Sequence, residues 1–411
     1  MYGNMIRYLR NFIAPLSSVI LMMMGNGFFV TFISLTLDSQ GHSREQIGWV
    51  QSAYYFGMLL GAFKMEQLIK RIGHNQALAV FGSLGTCTIL AMAMEYHFVA
   101  WLFFRFVAGL SLAAIYIVIE SWMLAKSDAT TRGIILSLYM IGLYSAQAIS
   151  QQVIHFIDIT SMTPYLIAAF FTSLSVIPVG LSISRVPIQE ELESPPFSKL
   201  LFTSPFGATG SLMGGVVLSS LYTFYPLWGV SRNLSPQDLM TLTIGGGVIM
   251  QWPLGMLSDY FERRYVLLGI IAMIAFFCLI SFMYSSESPG VIYPLSFLLG
   301  GVAFTLYPVS VTQLCDHLQP HQITKATAFL LIVYGLGAVI GPIITGAIIT
   351  TFGLDTFFLL FILLMAVNAA VGIHSLTHRP HIHPDEQVNF LPLPRNTPIA
   401  YEMDPRAHEG Q

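Results

Sequence analysis

The stretch GMLSDYFERR, residues 255–264, is a short polar segment between two long apolar segments. It carries an aspartate, a glutamate and two adjacent arginines, although only 9% of the residues in this 411-residue chain are charged. Hydrophobic residues make up 55% of the chain and the mean hydropathy is +0.68, which is far above the range of soluble domains. The sequence therefore predicts an integral membrane protein, in which this stretch is a turn between two membrane spans.

Apolar stretches long enough to cross a bilayer, which takes about 20 residues, recur along the whole chain. They predict twelve spans, at residues 12–37, 47–69, 76–94, 98–125, 133–158, 163–183, 206–229, 238–258, 263–285, 291–316, 321–351 and 354–376. The first span is too long for the core of a signal peptide and lacks a small-residue cleavage site, so we expect it to remain as a helix. Residues 377–411, with several prolines and mixed charges, predict a disordered cytoplasmic tail.

The distribution of basic residues predicts the orientation of the chain. With the N-terminus inside, the predicted cytoplasmic segments hold 14 of the 18 Lys and Arg residues, namely Arg7, Arg10, Lys70, Arg71, Lys126, Arg132, Arg185, Lys199, Arg263, Arg264, Lys325, Arg379, Arg395 and Arg406. The predicted outer loops hold only Arg44 and Arg232. By the positive-inside rule we expect a protein of the cell (inner) membrane with both termini in the cytoplasm.

The chain contains an internal repeat. Its longest polar break, residues 184–205, separates six predicted spans from six. The stretch EQLIKRIGHN follows span two as GMLSDYFERR follows span eight, and RFVAGLSLAAIY in span four corresponds to SFLLGGVAFTLY in span ten, at offsets of 189 to 195 residues. The repeat predicts an N-terminal half over residues 1–183, a cytoplasmic linker over 184–205 and a C-terminal half over 206–376.

The polar turns resemble the motif G-x-L-a-D-r-x-G-r-r/k of the major facilitator superfamily. The second half matches it at Gly255, Leu257, Asp259, Arg263 and Arg264, whereas the first half keeps Leu68, Arg71 and Gly73 but has Glu66 and Lys70 at the glycine and aspartate positions. The stretches QWPLGMLSD, FTLYPVSV, RFVAG and IVIES are similar to the YcaD-type branch of that superfamily. The resemblance implies an all-α transporter of twelve helices in two pseudo-symmetric six-helix halves, with no substrate assigned.

The turns and the inner helix ends are candidate gating elements. Gly255 would allow close approach of a helix, while Asp259 would accept hydrogen bonds from a neighbouring helix N-terminus and from Arg132. Glu120 is similar to the glutamates that pair with arginine at the inner helix ends in this family, so we expect it to meet Arg132 and Arg71. The pair Arg263 and Arg264 would face lipid phosphates or carboxylates. Two alternatives stay open. The turn residues would then only set the orientation of the helices in the membrane, and Glu120 would bind a proton during transport.

Arg105 is the first candidate for solute binding, because a charge within a span usually faces a cavity or a partner. Span five offers a stripe at helical spacing, formed by Tyr144, Gln147, Gln151, His155 and Asp158. Weaker candidates occur in the middle of other spans, namely Asn26, Gln51, Tyr54, Tyr55, Tyr222, Tyr225, Gln251 and Tyr307. This set suits an anionic or amphipathic small solute; the alternative is that these groups satisfy one another between packed helices.

We therefore expect a secondary transporter that moves a small solute by alternating access, and not an enzyme. A proton-coupled exporter of drugs or metabolites is an alternative, although residues 142–152 lack the glycine-proline signature of drug/proton antiporters; a transporter-like sensor is another. We expect a monomer in the lipid bilayer without cofactor, metal or nucleic acid, and proton coupling stays open. The three cysteines, Cys87, Cys278 and Cys315, lie in apolar spans, so we expect them to be unreactive thiols.

The predicted topology can be tested with reporter fusions. Fusions after residues 40, 97, 160, 232, 288 and 353 should report outside, and those after residues 72, 128, 195, 262, 320 and 390 should report inside. A consistent inversion between two neighbouring fusion points would remove one helix from the topology.

Overall fold

The structure is a computed structural model that describes residues 12–94, 97–128, 131–181, 203–284 and 288–408. Twelve long helices occur in these residues, and no strand is present in the described part of the chain. Most of the linker predicted at 184–205 lies outside the described residues, as do Arg7 and Arg10.

All twelve predicted spans are helices. In chain order they are α1 Ile13–Ser39, α2 Arg44–Ile72, α3 His74–Met94, α4 Phe98–Lys126, α5 Arg132–Ser150, α6 Thr163–Gly180, α7 Pro205–Ser231, α8 Pro236–Tyr260, α9 Arg263–Met283, α10 Pro289–Cys315, α11 Pro320–Phe352 and α12 Thr356–His378. Among the described residues, nine of these helices are long and apolar enough to cross a membrane on composition alone. The other three, α2, α7 and α8, contain more charged, polar or small residues.

Helix starts in the second half follow local sequence signals. Pro205, Pro236, Pro289 and Pro320 each occupy the first turn of their helix, where the missing amide proton of proline costs no hydrogen bond. The Ser204 side chain caps α7 by accepting a hydrogen bond from the amide of Gly207 at 3.1 Å. These signals end one helix and begin the next within a few residues.

The repeat is visible in how the helices cross. A Cβ atom built on Gly57 in α2 would lie 2.0 Å from the carbonyl oxygen of Phe106 in α4, and one on Gly109 would lie 2.1 Å from that of Tyr54. The same crossing recurs between α8 and α10, where Cβ atoms on Gly246 and Gly300 would each lie 1.9 Å from a carbonyl oxygen of the other helix. These glycines correspond within the offsets of the repeat, so both halves use one mode of close backbone contact.

The chain divides into two compact units. The first comprises Met1–Phe29, Ala53–Glu193 and Leu393–His408, and the second comprises Val30–Ser52, Ser194–Pro392 and Glu409–Gln411. Segment Val30–Ser52 belongs to the second unit because it packs on α11: a Cβ on Gly48 would lie 2.2 Å from the carbonyl oxygen of Pro342. In each unit we use "basic end" for the helix ends that carry the arginines, near Arg132 in the first and near Arg263 in the second.

Residues 379–408, which we call the C-terminal segment, differ from the disordered tail that their composition predicts. The segment contains the short 3-10 helices Pro384–Glu386, Pro398–Met403 and Pro405–His408. Leu393, Tyr401 and Met403 are fully buried. These apolar residues alternate with prolines, so the segment packs by side-chain burial although it has too little regular structure to be predicted from helical periodicity.

The close crossing of α8 and α10 can be tested with two adjacent glycines. Gly246→Val would drive a branched side chain into a helix backbone that cannot move aside, at a cost of about 1–3 kcal/mol or more. Gly245→Val is the matched control, because a Cβ at Gly245 meets nothing within 4 Å. We expect Gly246→Val to lower the yield of monodisperse protein and its apparent Tm, and Gly245→Val to change neither; equal behaviour would contradict the crossing.

Candidate functional site

Arg105 lies in α4 and is fully buried. Its guanidinium carbon lies 4.1 Å from the centroid of the Tyr54 ring in α2, which is the geometry of a cation-π contact. The Tyr54 hydroxyl accepts a hydrogen bond from the Asn26 side-chain amide of α1 at 2.9 Å, and the ring of Tyr55 meets that of Tyr54 edge to face at 5.4 Å. Three helices of the first unit therefore converge on one buried cation, which we call the Arg105 cluster.

The structure does not keep the whole stripe predicted on span five, because the helix type changes within it. The α-helix ends at Ser150, and residues Gln151–Phe156 continue as a 3-10 helix with about 3 residues per turn. The spacing that would align five side chains is therefore lost beyond Gln151. His155 and Asp158 are exposed, and the Asp158 carboxylate accepts a hydrogen bond from the amide of Thr160 at 2.9 Å.

The remaining stripe residues, Tyr144 and Gln147 in α5 and Gln151 in the 3-10 helix that follows it, pack against neighbouring segments. Gln151 is fully buried and donates to the backbone carbonyl of Gly27 in α1 at 2.8 Å. The side chain of Gln147 lies beside the same glycine, where a Cβ would approach it to 3.2 Å. Gln151 thus joins α5 to α1, and Tyr144 is the stripe residue that meets a charged group, the guanidinium of Arg395 at 5.8 Å from its ring.

The side chain of Gln51 in α2 forms its hydrogen bonds with α1. It is fully buried, and its amide nitrogen donates to the carbonyl of Val30 at 2.8 Å and to the hydroxyl of Ser34 at 2.9 Å. These bonds favour the packing alternative for Gln51 over a role in solute binding.

The second unit contains five of the predicted cavity residues, namely Gln51, Tyr222, Tyr225, Gln251 and Tyr307. Tyr307 is fully buried, with its ring 4.8 Å from that of Tyr334, and Tyr222 meets Phe304 edge to face at 6.2 Å. Gln251 in α8 is 4% exposed, and its amide nitrogen has no hydrogen-bond partner among the described residues. Since buried polar groups are normally paired, Gln251 is the candidate of this unit with spare hydrogen-bonding capacity.

Glu120, near the basic end of α4, is fully buried, and both of its carboxylate oxygens accept hydrogen bonds. One accepts from the Tyr139 hydroxyl of α5 at 2.6 Å, and the other accepts from the hydroxyl of Thr397 in the C-terminal segment. The Asn396 amide in turn donates to the Tyr139 hydroxyl at 2.9 Å. The predicted partner Arg132 is thus replaced by hydroxyl donors, because the C-terminal segment reaches Glu120.

Asp259 and Arg263 form the centre of a network at the basic end of the second unit. Arg263 is 1% exposed and donates to Asp259 at 3.0 Å, to Asp316 and to the backbone carbonyl of Val388 at 2.8 Å. Asp259 also accepts from the backbone amide of Phe390 at 2.7 Å. Of the two partners expected for Arg263, lipid phosphates or carboxylates, the structure shows carboxylates, since Asp259 and Asp316 enclose it together with the C-terminal segment.

Arg264 is also buried and does not face lipid. It pairs with Glu262 and donates to the carbonyls of Ser375 at 2.9 Å and Pro380 at 3.2 Å. Burial lowers the pKa of His317, and the nearby charges of Arg379 and Arg264 lower it further.

Gly255 makes room for the C-terminal segment and not for a helix. A Cβ atom there would lie 2.1 Å from the ring of Phe390. In the first half, Lys70 pairs with Glu66 at 2.7 Å and Arg71 is exposed. The two copies of the motif therefore make different contacts.

Sequence reasoning missed the C-terminal segment as part of the site. The signal was present in NFLPLPRNTPIAYEMDP, residues 389–405, where apolar residues alternate with prolines that favour an extended chain. Of the histidines near the C-terminus, His374 stacks on His378 at 4.1 Å, His381 approaches Glu262 at 2.9 Å and His383 approaches Asp385 at 3.1 Å.

Comparisons with known proteins agree with this fold. The sequence pattern of the Major Facilitator Superfamily matches residues 16–250 and 237–394. The chain is 29% identical over 392 residues to the uncharacterized MFS-type transporter YcaD of Escherichia coli O6:K15:H31 (strain 536 / UPEC), covering 91% of this chain and 97% of that protein. It is 28% identical over 390 residues to YcaD of Escherichia coli O45:K1 (strain S88 / ExPEC), at 91% and 97% coverage.

Two solved structures show the same fold. The nucleoside transporter NupG superimposes with a TM-score of 0.71 at 15% identity, over 90% of this chain and 99% of that one. A bacterial homolog of the human lysosomal transporter Spinster, inward-facing and unoccupied, gives 0.74 at 12% identity, over 92% and 99%. The family pattern covers nearly the whole helical region and the YcaD similarity covers 91% of the chain, so the chain belongs to the Major Facilitator Superfamily of multi-pass membrane transporters.

Proposed function

We propose that this protein is a secondary active transporter that moves a small anionic or amphipathic solute by alternating access. In this proposal both termini and the basic ends of the helices face the cytoplasm, as the positive-inside rule predicts. The protein acts as a monomer, and the two six-helix halves provide the moving parts.

The observation that carries the proposal is the Arg105 cluster. Arg105 lies seven residues from the start of α4, which places it about 10 Å inside the span. A buried arginine at that depth is costly to stability, so its presence favours a role in function. The guanidinium offers several donors in one plane, which suits a carboxylate or phosphate group.

Aromatic rings around Arg105 favour a solute with an apolar part. Tyr54 covers one face of the guanidinium, and Tyr55 lies against Tyr54. A solute with an anionic group and an apolar body would be bound by the guanidinium and by these rings together.

In the second half, Gln251 supports the same proposal independently. Its amide nitrogen is buried and has no partner in the described part of the chain, so a solute acceptor would remove an energetic cost of about 1–3 kcal/mol. Tyr222 and Tyr307 remain candidates for contact with the solute in this half.

Glu120 is proposed as a gate residue and not as a proton carrier. Hydroxyl donors engage both of its oxygens, and one of the donors, Thr397, belongs to the C-terminal segment. Breaking that bond changes the basic end of α4 without a proton transfer. The gating role proposed for Gly255, Asp259, Arg263 and Arg264 likewise depends on the C-terminal segment that these residues contact.

Ligand-dependent stabilisation tests this function. Purified protein would be screened by thermal shift against small carboxylates, phosphates and amphipathic anions; a solute at 100 times its Kd stabilises by about 2.7 kcal/mol. Arg105→Gln should abolish the shift produced by an anionic hit, because a lost charge-assisted bond costs about 1.5–3 kcal/mol. Lys64→Gln, at an exposed basic residue of α2, is the matched control and should keep the full shift.

Two substitutions of Tyr54 separate its contact with Arg105 from its hydrogen bond with Asn26 in the same assay. Tyr54→Phe keeps the ring face for Arg105 and loses only the acceptor for Asn26, whereas Tyr54→Leu loses both. We expect the leucine variant to bind the hit more weakly than the phenylalanine variant. If every anionic hit stabilised Arg105→Gln as fully as the unsubstituted protein, Arg105 would serve only in packing and the proposed site would be wrong.

A further inference from the structure

Residues 393–407 reach into the first unit at the level of the membrane. Their contacts include Glu120, which lies six residues from the end of α4, and Tyr139, which lies seven residues from the start of α5. At 1.5 Å per residue these positions are about 9 and 10 Å inside the basic ends of their helices. The segment is therefore not a surface tail.

Irregular backbone at that depth is tolerated only where protein or water surrounds it. The segment thus marks the face of α4 and α5 that is turned away from lipid. Arg105 and Glu120 are fifteen residues apart in α4, which puts them about 60° apart around the helix and on the same side of it. The segment therefore covers the Glu120 end of this side of α4, which a solute would follow as its approach to Arg105 from the basic end.

We infer that residues 393–407 are an intramolecular occupant of this approach, which closes it when docked and must leave before a solute can pass between Arg105 and the basic end. The occupant is a part of this chain, and its docking does not depend on the solute. The consequence for transport rests on the proposed function, whereas the docking itself does not.

The docked segment is held by both polar and apolar contacts. Thr397 and Asn396 bond to Glu120 and Tyr139, and the guanidinium of Arg395 lies over the ring of Tyr144. The short helix Pro398–Met403 packs against α4 and α5, and its Ala400, Tyr401 and Met403 are fully buried. This surface fits the segment specifically, because hydroxyl, amide and apolar groups each meet a matching partner.

The segment also organises itself internally. The Tyr401 hydroxyl donates to the carbonyl of Pro394 at 2.9 Å, and Asp404 pairs with Arg406 at 2.6 Å, with both side chains buried. The charges of Asp404 and Arg406 are thereby neutralised within the segment. Undocking would therefore carry this ion pair away intact, while Glu120 would lose the hydrogen bond from Thr397.

A separate anchor precedes the occupant in the second unit. The Val388 amide donates to Asp316 at 3.1 Å, the Phe390 amide donates to Asp259 at 2.7 Å, and the Phe390 ring fills the space left by Gly255. Because this anchor ends at Pro392, residues 393–407 can leave while remaining tethered. Redocking is then intramolecular and fast, as a reversible gate requires.

Cysteine labelling tests the docking. With Cys87, Cys278 and Cys315 replaced, Gly133→Cys would report on the segment, because a Cβ at Gly133 lies 3.8 Å from Pro405. A polar maleimide should label it at least about tenfold faster when the chain ends after Pro392, or when Thr397→Val and Tyr401→Asp are introduced. Gln76→Cys, at an exposed position of α3, should label at one rate in every variant. Thr397→Ser keeps the hydroxyl and should keep the slow labelling.

Addition of the segment as a peptide completes the test. A synthetic peptide of residues 393–408 should restore slow labelling of Gly133→Cys in the truncated protein, and a scrambled peptide should not. Unchanged labelling on truncation of monodisperse protein would overturn the docking. Faster labelling on truncation, with no change in the transport of a ligand found by thermal shift, would overturn the closure of the approach and leave the proposed transport function intact.

Glu402 is half-buried in the short helix Pro398–Met403, which packs against α4 and α5, so its titration would make the docking sensitive to pH. Burial, and then the Glu66 carboxylate of α2, raise the pKa of Glu402 from its ordinary 4.5 to about 7, against the opposing effects of Lys70 in α2 and Arg132 in α5. Since the docked form holds this proton more tightly than the free form, docking is strongest below pH 4.5 and weakens as pH rises to about 7. Asp404 and Arg406 flank Glu402 on its own segment and pair with each other.

We therefore expect Gly133→Cys to label faster at pH 7.5 than at pH 5.5, relative to Gln76→Cys at each pH. Glu402→Gln should remove this difference and keep labelling slow at both values, because a neutral amide replaces the protonated acid. A pH dependence that survives in Glu402→Gln would show that another group controls release.

Discussion

The hydrocarbon core of the bilayer holds no water, so every charged or hydrogen-bonding group at that level has to find its partner within the protein. Backbone groups meet this requirement by forming helices, and the side chains meet it by specific pairing. Arg105 lies against the ring of Tyr54, and Glu120 accepts hydrogen bonds from Tyr139 and Thr397. The few charges of this chain are therefore concentrated where several helices converge, and those places are the candidate sites.

Close helix contact is the second consequence of the same environment, because helices in lipid associate through packing and not through a hydrophobic driving force. Gly57 and Gly109 bring α2 and α4 together in the first half, and Gly246 and Gly300 do the same for α8 and α10. The halves share this scaffold but use their polar turns differently. The second turn anchors the C-terminal segment through Asp259, whereas the first has the half-buried ion pair of Glu66 and Lys70.

The C-terminal segment links the gating residues to the solute site in our interpretation. Glu120, an isolated carboxylate in α4, is satisfied by Thr397 from this segment and by Tyr139. Release of the segment would expose Glu120 of α4 and Tyr139 of α5 at the basic end of the first unit. A gate made of a chain segment can thus open without moving a helix, and a titrating group at Glu402 would tune it.

The sequence alone determined the twelve helices, the repeat and the family, because hydropathy, glycine spacing and the turn motif depend on local order along the chain. It also singled out Arg105 and Glu120, since charges are rare in spans. Tertiary structure alone decided their partners: Tyr54 is 51 positions from Arg105, and Thr397 is 277 positions from Glu120. Local periodicity carries no information on contacts between residues so far apart, and it failed at Gln151, where packing on α1 accompanies a change from α-helix to 3-10 helix.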